Sequence, residues 1–273
     1  MKSVGIIGFG SMGSMLAKGF LTRAGIDPSS LMIASRRKET FERVLQLCPS
    51  VQTGTSADVA HFSDIIFVCV KPSDIHSVLC DITKDIRPKT HIVSIAACVK
   101  IQELISVIPE NVSKVIPSLT SVVGEGISLV CHHTSVSIEN QRFLENLLGS
   151  LSTVKTIAES AFEIAADLTS CAPGLIAAIF NQYIEAAVRT GEVSRLEAEE
   201  MLITTLSGTA KLLLSEKMTF SETIHRVATK GGITEEGIRV LDSKLPVVFD
   251  EMLSATLAKH VAVHDHIKKQ YYS

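Results

Sequence analysis

The sequence has no surplus of positive charge and no apolar run long enough to cross a bilayer. Its 273 residues include 26 Lys and Arg against 29 Asp and Glu, a formal net charge of -3, so nothing favours a nucleic-acid surface. Mean hydropathy is high at +0.31, but apolar runs such as 65–70 and 175–180 are far shorter than the ~20 residues of a membrane span. We therefore expect a protein with neither a nucleic-acid partner nor a membrane partner.

Secretion signals and metal-binding cysteine patterns are also missing. Glycines interrupt the first apolar stretch, so it does not resemble a signal peptide, and we expect a cytoplasmic protein. The six cysteines include no Cys-x-x-Cys pair, which disfavours disulfides and zinc sites and predicts buried, unreactive thiols. His260 and His264 stand four residues apart without a third ligand nearby in sequence, so we expect an exposed helix end and no metal.

The most informative motif present is a glycine pattern at the start of the chain. An apolar segment leads into Gly8-x-Gly10-x-x-Gly13, and a helical run follows. The first glycine permits a tight strand-to-helix turn, the second admits a pyrophosphate, and the third lets the helix pack on the strand. Amides at this helix start would hold the phosphates. The pattern favours a dinucleotide site over a purely structural turn, formed by Gly8, Phe9, Gly10, Ser11, Met12 and Gly13.

The second apolar segment indicates which dinucleotide binds. Residues 31–34 lead into Ser35-Arg36-Arg37-Lys38, where an NAD-binding protein usually has a carboxylate for the ribose hydroxyls. A hydroxyl and guanidinium groups suit a 2′-phosphate instead, because arginine offers planar donors to phosphate oxygens. We predict that Ser35, Arg36 and Arg37 bind NADP, with NADPH preferred over NADH. The alternative is a solvated basic helix start.

Apolar segments and amphipathic stretches alternate up to about residue 158, and helical periodicity dominates afterwards. Such alternation is typical of a doubly wound, mostly parallel sheet. Strands are expected near 4–8, 31–34, 64–70, 91–95, 113–116, 127–131 and 153–157. Helices are expected at 159–190, 195–214, 221–228 and 235–267, with Ser194 and Glu197 as a capping box. The sequence thus predicts an α/β fold with an N-terminal Rossmann-type domain, 1–158, and an all-α C-terminal domain, 159–273.

Two further strand ends point to the cofactor. Ligands of such a sheet lie beyond the carboxyl ends of its strands, at the point where the strand order reverses. Lys71 offers a charge to phosphate or ribose oxygens, and the ring of Pro72 fixes the turn. Small residues after the strand near 91–95 admit a flat ring. We predict cofactor contacts rather than ordinary strand-to-loop transitions for Val70, Lys71, Pro72, Ala96 and Ala97.

Several motifs, in order along the chain, resemble those of one enzyme family. The glycine pattern, Ser35-Arg36, Val70-Lys71-Pro72 and Ser94-Ile95-Ala96-Ala97 are similar to motifs of pyrroline-5-carboxylate reductase. Gly231-Gly232-Ile233-Thr234 resembles its Gly-Gly-x-Thr signature, and the resemblance extends over nearly the whole chain. It implies NADPH-dependent reduction of 1-pyrroline-5-carboxylate to L-proline. It also implies a homodimer of interlocked helical domains, with active sites that use both chains.

The sequence departs from this family mainly on the substrate side. Ser118 replaces an asparagine of the family's Arg-x-Met-Pro-Asn-Thr-Pro, and Ser170-Cys171-Ala172-Pro173 stands where the family has Gly-Ser-Gly-Pro. Thr229-Lys230 likewise stands in place of Ser-Pro. These changes resemble the divergent ComER-type late competence branch of the family. Two alternatives therefore stay open: reduction of another small imine or keto acid, and a non-catalytic nucleotide-binding regulator.

The resemblance also implies a substrate site in the helical domain. Thr234 aligns with the signature threonine and is expected to donate to the imine nitrogen or to place a water; the alternative is a helix N-cap. The amides of Gly231 and Gly232 are expected to hold the substrate carboxylate as a backbone nest, and Lys230 adds a positive charge there. The remaining residues expected at this site are Glu216, in the loop before this segment, and Ser118, beside the nicotinamide.

Overall fold

The computed structural model describes residues 2–36 and 38–272, which form two compact units. The first unit runs to Pro173 and also includes the end of the chain from Thr256, and the second unit comprises Gly174–Ala255. These bounds differ from the division at residue 158 that the sequence predicts. The reason is physical: helical periodicity identifies a helix but does not say which apolar surface the helix packs against.

The first unit is built on one eight-stranded sheet. The strands are β1 (Val4–Ile7), β2 (Leu31–Ala34), β3 (Gln52–Gly54), β4 (Ile65–Val68), β5 (His91–Ser94), β6 (Val112–Ile116), β7 (Ile127–His132) and β8 (Thr153–Thr156). Their order is β3-β2-β1-β4-β5-β6-β7-β8, and only β6 and β7 pair antiparallel. The strand order reverses at β1, which places the switch point between β1 and β4. The predicted mostly parallel, doubly wound sheet is confirmed.

The strands follow from their sequences with one exception. β1 and β4 are buried at every position, and continuous apolar runs are typical of parallel strands covered on both faces. β3 is not expected from the sequence. It consists of Gln52, Thr53 and Gly54, which pair with β2 at the edge of the sheet, and it is too short and polar for a period-2 pattern.

Helices cover both faces of the sheet. They are α1 (Ser11–Thr22), α2 (Lys38–Leu47), α3 (Ser56–Phe62), α4 (Ile75–Ile82), α5 (Ile101–Val107), α6 (Ile138–Gly149) and, after β8, α7 (Phe162–Ala166). One apolar cluster contains side chains from α1 and α6, including Phe20, whose ring lies 5.0 Å from that of Phe67 in β4. A second cluster contains side chains from α3, α4 and α5, and Ile267 from the end of the chain joins it.

The second unit is helical and has almost no core of its own. A π-helical turn of the first unit, Asp167–Cys171, leads into α8 (Ala172–Val188), which is followed by α9 (Arg195–Glu216), α10 (Phe220–Val227) and α11 (Ile233–Lys268). The last part of α11, from Thr256, belongs to the first unit. The predicted capping box of α9 is confirmed, because the Ser194 hydroxyl and the Glu197 carboxylate each accept from the other residue's amide. Within 174–255, all of which the structure describes, only Ile184 and Ala198 are buried apolar residues.

One helical stretch, Glu159–Val188, is long and apolar enough to cross a membrane by length and composition alone. Core helices of water-soluble proteins meet the same criterion. The stretch also contains Glu159, Glu163 and Asp167, and ionisable side chains are expensive inside a bilayer. Its composition therefore carries no conclusion about a membrane, and the absence of a membrane partner stays a prediction.

Candidate active site

The three glycines of the opening motif have three distinct steric roles. Gly8 has φ +100°, and a Cβ there would stand 2.5 Å from the Cys69 carbonyl oxygen. A Cβ on Gly13 would stand 2.0 Å from the carbonyl oxygen of Gly8, so α1 packs directly on the turn. Gly10, the N-cap of α1, has no atom within 4 Å of the position of a Cβ. Only Gly10 therefore borders open space, where a ligand can approach the backbone.

A cleft of about 800 Å³ opens beside this turn. The first-turn amides of α1 have no acceptors within the helix, because helix geometry leaves them unpaired. The cleft unites three segments that are distant in sequence: the glycine turn, the end of β2 and the end of β4. The sequence-predicted residues that line it are Gly8, Phe9, Gly10, Ser35, Arg36, Val70 and Lys71.

Other predicted cofactor residues lie elsewhere. Ser11, Met12 and Gly13 form the first turn of α1, and Pro72 begins a 3-10 turn before α4. Ala96 is buried in the second apolar cluster, and Ala97 packs against a third cluster around Phe162. Arg37 lies outside the described residues. Cofactor contacts of these residues stay predictions.

The cleft also contains residues that sequence reasoning missed. Arg36, whose side chain is 83% exposed, donates to the Asp74 carboxylate at 2.6 Å. Asp74 lies just after Lys71-Pro72, in the segment that follows β4. The residues that line the cleft without having been predicted include Thr40, Arg43, Thr55, Ser56, Asp74 and Asp81. Thr55 and Ser56 follow β3, and they cannot be assigned to the cleft from the sequence because β3 is not predicted.

Ser118 is held by a contact within the first unit. It is buried, and its hydroxyl donates to the Thr169 carbonyl at 3.0 Å. Pro173, four residues after Thr169, has no N–H to offer that carbonyl as an ordinary helical residue would. Ser118 therefore compensates for the proline, and its predicted role in substrate binding stays a prediction.

Lys114 lies on β6 and is wholly buried. Its Nζ stands 3.7 Å from a Glu159 oxygen and 4.9 Å from the centre of the Phe162 ring, and it has no hydrogen-bond partner among the described residues. Burial lowers the pKa of Lys114, and the Glu159 carboxylate opposes that effect. The observed neighbours of the Lys114 ammonium group are therefore a carboxylate and an aromatic ring.

In the second unit, the predicted substrate loop is closed by its own hydrogen bonds. The amide of Gly231, at φ +72°, donates to the Glu235 carboxylate at 2.6 Å, and the amide of Gly232 donates to the Thr229 carbonyl at 2.8 Å. A substrate carboxylate at Gly231 would have to replace Glu235. Thr234, near the start of α11, is exposed.

Two charged residues proposed for this loop are also placed by the structure. Lys230 is exposed in the turn before α11. The sequence predicts that Glu216 lies in a loop, and this prediction is wrong. Glu216 is the last residue of α9, and its Oε2 lies 3.8 Å from Arg226 Nη1. The helix continues past the predicted end at 214 because Lys217, in the left-handed region at φ 53°, is the residue that terminates it.

The histidine pair near the C-terminus is not an exposed helix end. The side chains of His260 and His264 are only 15% and 16% exposed, and they pair with the buried carboxylates of Asp167 and Glu103. The expectation of exposure is wrong because residues distant in sequence cover this helix face. All six cysteines are free thiols, in line with the expectation against disulfides, but they are less buried than expected: five are half-buried and Cys80 is exposed.

A parallel sheet whose order reverses at β1, with a glycine turn and a cleft at the switch point, defines a Rossmann-type dinucleotide-binding protein. Residues 3–98 match the family model of NADP oxidoreductase, coenzyme F420-dependent, and residues 159–262 match the model of pyrroline-5-carboxylate reductase dimerisation. The chain belongs to the pyrroline-5-carboxylate reductase family of NAD(P)-dependent oxidoreductases. The fold and family expected from the sequence are confirmed.

The relatives include proteins from both branches that the motifs resemble. Pyrroline-5-carboxylate reductase 3 of Bacillus subtilis is 39% identical over 271 residues, covering 99% of this chain and 100% of that protein. ComE operon protein 4 of the same organism is 30% identical, covering 98% and 99%. The crystal structure of Plasmodium falciparum pyrroline carboxylate reductase with NADP bound has the same fold, with a TM-score of 0.85 at 22% identity over 96% of this chain and 98% of that one.

Proposed function

We propose that this protein reduces 1-pyrroline-5-carboxylate to L-proline with NADPH. The observation that carries the proposal is the cleft at the switch point, where Gly10 borders open space and the glycine turn adjoins Arg36 and Lys71. The 39% identity to a pyrroline-5-carboxylate reductase of Bacillus subtilis over the full length supports the choice of substrate. The direct test is NADPH oxidation by the purified protein with 1-pyrroline-5-carboxylate as the substrate.

The cleft has the chemistry that a phosphorylated dinucleotide requires. Its backbone is accessible at Gly10, and amides of the first turn of α1 suit a pyrophosphate. Cationic side chains of Arg36, Arg43 and Lys71 line it, and Ser35 stands where NAD-binding proteins usually have a carboxylate. These residues support NADP over NAD, and Arg36 would turn from Asp74 to the 2′-phosphate.

Arg36→Ala is expected to weaken NADPH binding about 10- to 100-fold, because a hydrogen bond to a charged group is worth ~1.5–3 kcal/mol. NADH, which lacks the 2′-phosphate, should lose less than about threefold. The measurement is the dissociation constant of each nucleotide by fluorescence titration. Arg87→Ala is the matched control, because Arg87 is also exposed and paired with an aspartate, Asp64, but lies outside the cleft. Equal losses for both nucleotides would contradict a 2′-phosphate contact.

The reaction needs a hydride at the imine carbon and a proton at the imine nitrogen. NADPH supplies the hydride when bound. The Thr234 hydroxyl, or a water that it holds, donates the proton, since a hydroxyl can both donate and accept. The amides of Gly231 and Gly232 neutralise the substrate carboxylate with help from the Lys230 ammonium group. Further roles are assigned to Glu216, beside the substrate nitrogen, and Ser118, at the border of the nicotinamide.

Thr234→Val is expected to lower kcat about 100-fold and to leave the dissociation constant of NADPH unchanged, because positioned proton donors contribute ~10²–10⁴-fold. Steady-state kinetics with 1-pyrroline-5-carboxylate measure the first quantity and nucleotide titration the second. Thr209→Val is the control: Thr209 is an exposed threonine of the same unit whose hydroxyl donates to the Thr205 carbonyl. A variant that loses stability but keeps kcat would give Thr234 a structural role in the first turn of α11 instead.

The assembled protein is proposed to be a cytoplasmic homodimer that acts on a small imine. The helical unit exposes many apolar side chains, among them Leu196, Leu214, Phe220 and Ile233, which are 75–95% exposed. A soluble chain seldom leaves so much apolar surface in water. The match of residues 159–262 to a reductase dimerisation domain supports a second copy of this chain as the cover.

A second candidate is a family member that does not make proline. It is favoured by the hydrogen bond from Gly231 to Glu235, since that carboxylate competes with a substrate carboxylate. The 30% identity to ComE operon protein 4 supports a divergent branch. NADPH binding together with turnover of other imines or keto acids only would favour an altered substrate. NADPH binding without turnover would favour a regulator.

A further inference from the structure

Three potential metal ligands of the first unit converge beside the last part of α11. One ligand atom from each of Asp167, Cys171 and His260 lies within 4.8 Å of the other two. His260 Nε2 stands 3.5 Å from Asp167 Oδ1. Ligands of a tetrahedral zinc ion, at bond lengths of ~2.0–2.3 Å, stand about 3.3–3.8 Å apart. We propose that Asp167, Cys171 and His260 bind a divalent cation of the zinc class.

Asp167 is buried, and one of its two carboxylate oxygens lacks a hydrogen bond within the described part of the chain. Its side chain is 1% exposed, and Oδ2 accepts from the Thr256 hydroxyl at 2.6 Å. Oδ1 has no hydrogen-bond donor among the described residues, and His260 is the one charged partner that they offer it within 4 Å. A buried carboxylate oxygen without a donor is costly, and a cation between Asp167 and His260 removes that cost.

His260 has a second contact that orients it for a metal. Its Nδ1 is 3.5 Å from the Sγ of Cys98. Ligating histidines commonly donate the N–H of the other ring nitrogen to a neighbouring group, which fixes the ring and its tautomer. With the proton on Nδ1, the Nε2 lone pair is available to a cation beside Asp167 Oδ1, which lies 3.5 Å away.

A pocket of about 500 Å³ provides a route to the site. His260 lines it together with Lys100, Glu159 and Glu163, so carboxylates outnumber ammonium groups among these neighbours. Three protein ligands leave the fourth position of a tetrahedral ion for water from this pocket.

The site is tested by titrating the purified full-length protein with Co²⁺ and then displacing it with Zn²⁺. We expect one equivalent to bind, with a thiolate-to-cobalt charge-transfer band in the near ultraviolet. Cys171→Ser should abolish the band and weaken binding by more than about 100-fold, and Cys98→Ser should weaken it about 10-fold. Cys80→Ser is the control: Cys80 is exposed and has its own histidine neighbour, His76, at 3.8 Å.

Loss of Co²⁺ binding in Cys171→Ser can be distinguished from unfolding of the variant. The family's Gly-Ser-Gly-Pro motif has serine at the position of Cys171, so we expect Cys171→Ser to keep the fold. Circular dichroism checks this expectation. His260→Gln gives a second loss of binding that does not involve sulfur. A band of equal strength in Cys171→Ser, its loss in Cys80→Ser, or the absence of saturable binding would overturn the proposal. His260 and Asp167 would then form an ordinary ion pair. NADPH oxidation is not needed for any of these readouts.

Discussion

Gly10→Asp is expected to preserve the fold and to weaken NADPH binding about 1,000-fold, because two unit charges ~4 Å apart near a protein surface interact by ~4 kcal/mol. The position of a Cβ on Gly10 has no atom within 4 Å, so the chain itself accepts a side chain there. The new carboxylate would face the proposed pyrophosphate and occupy the space that the dinucleotide needs. Fluorescence or calorimetric titration with NADPH measures the loss, and thermal unfolding checks the fold.

Gly13→Asp is the informative comparison. The glycine pattern alone suggests Gly13 for the same experiment, but its Cβ would stand 2.0 Å from the Gly8 carbonyl oxygen. Backbone cannot yield there without opening the turn, so we expect the variant to lose about 2–4 kcal/mol of stability. The two variants therefore separate a loss of NADPH binding, expected for Gly10→Asp, from a loss of stability, expected for Gly13→Asp. Normal NADPH affinity in a folded Gly10→Asp protein would show that the dinucleotide binds elsewhere.

The fold is readable from the sequence wherever burial imposes a pattern. β1 and β4 are continuous apolar runs because helices cover both of their faces, and the capping box at Ser194 marks the start of α9 in four residues. β3 leaves no such trace, since an edge strand of three residues is held by backbone pairing with β2. Sequence therefore predicts the mostly parallel sheet and seven of its strands, but not the edge strand β3.

The candidate site can be predicted from the sequence only where its functional groups lie in one segment of the chain. The glycine turn is local, so its three steric roles follow from the spacing of Gly8, Gly10 and Gly13. The partners of Arg36 and His260 are not local in the same way, because Asp74 and Asp167 are brought to them by the fold. Sequence thus supplies candidate donors, and folding decides which carboxylate each one meets.

A chain of buried polar groups predicts marked acid sensitivity. His91, at the start of β5, is 1% exposed; its Nε2 is 2.7 Å from the Ser113 hydroxyl, which is 2.7 Å from His132 Nδ1. His132 in turn lies 3.2 Å from the Glu145 carboxylate. Burial lowers the pKa of His91 to about 3, and the neighbouring His132 adds to the effect. Nδ1 of His91 has no partner among the described residues that would stabilise a charge.

The consequence is a pH-dependent loss of stability that His91→Gln should remove. Between pH ~6.5 and ~3 the unfolded chain binds a proton at His91 and the folded chain does not, so stability falls as pH falls. The slope from this site is ~1.4 kcal/mol per pH unit, or about 5 kcal/mol over the range. Urea unfolding at several pH values should therefore show a shallower slope in His91→Gln, whose amide can still donate to Ser113. His61→Gln, at a 66% exposed histidine, should keep the original slope. Parallel slopes in all three proteins would mean that His91 is protonated in the folded state, because only a group that binds protons equally in both states leaves the pH dependence unchanged.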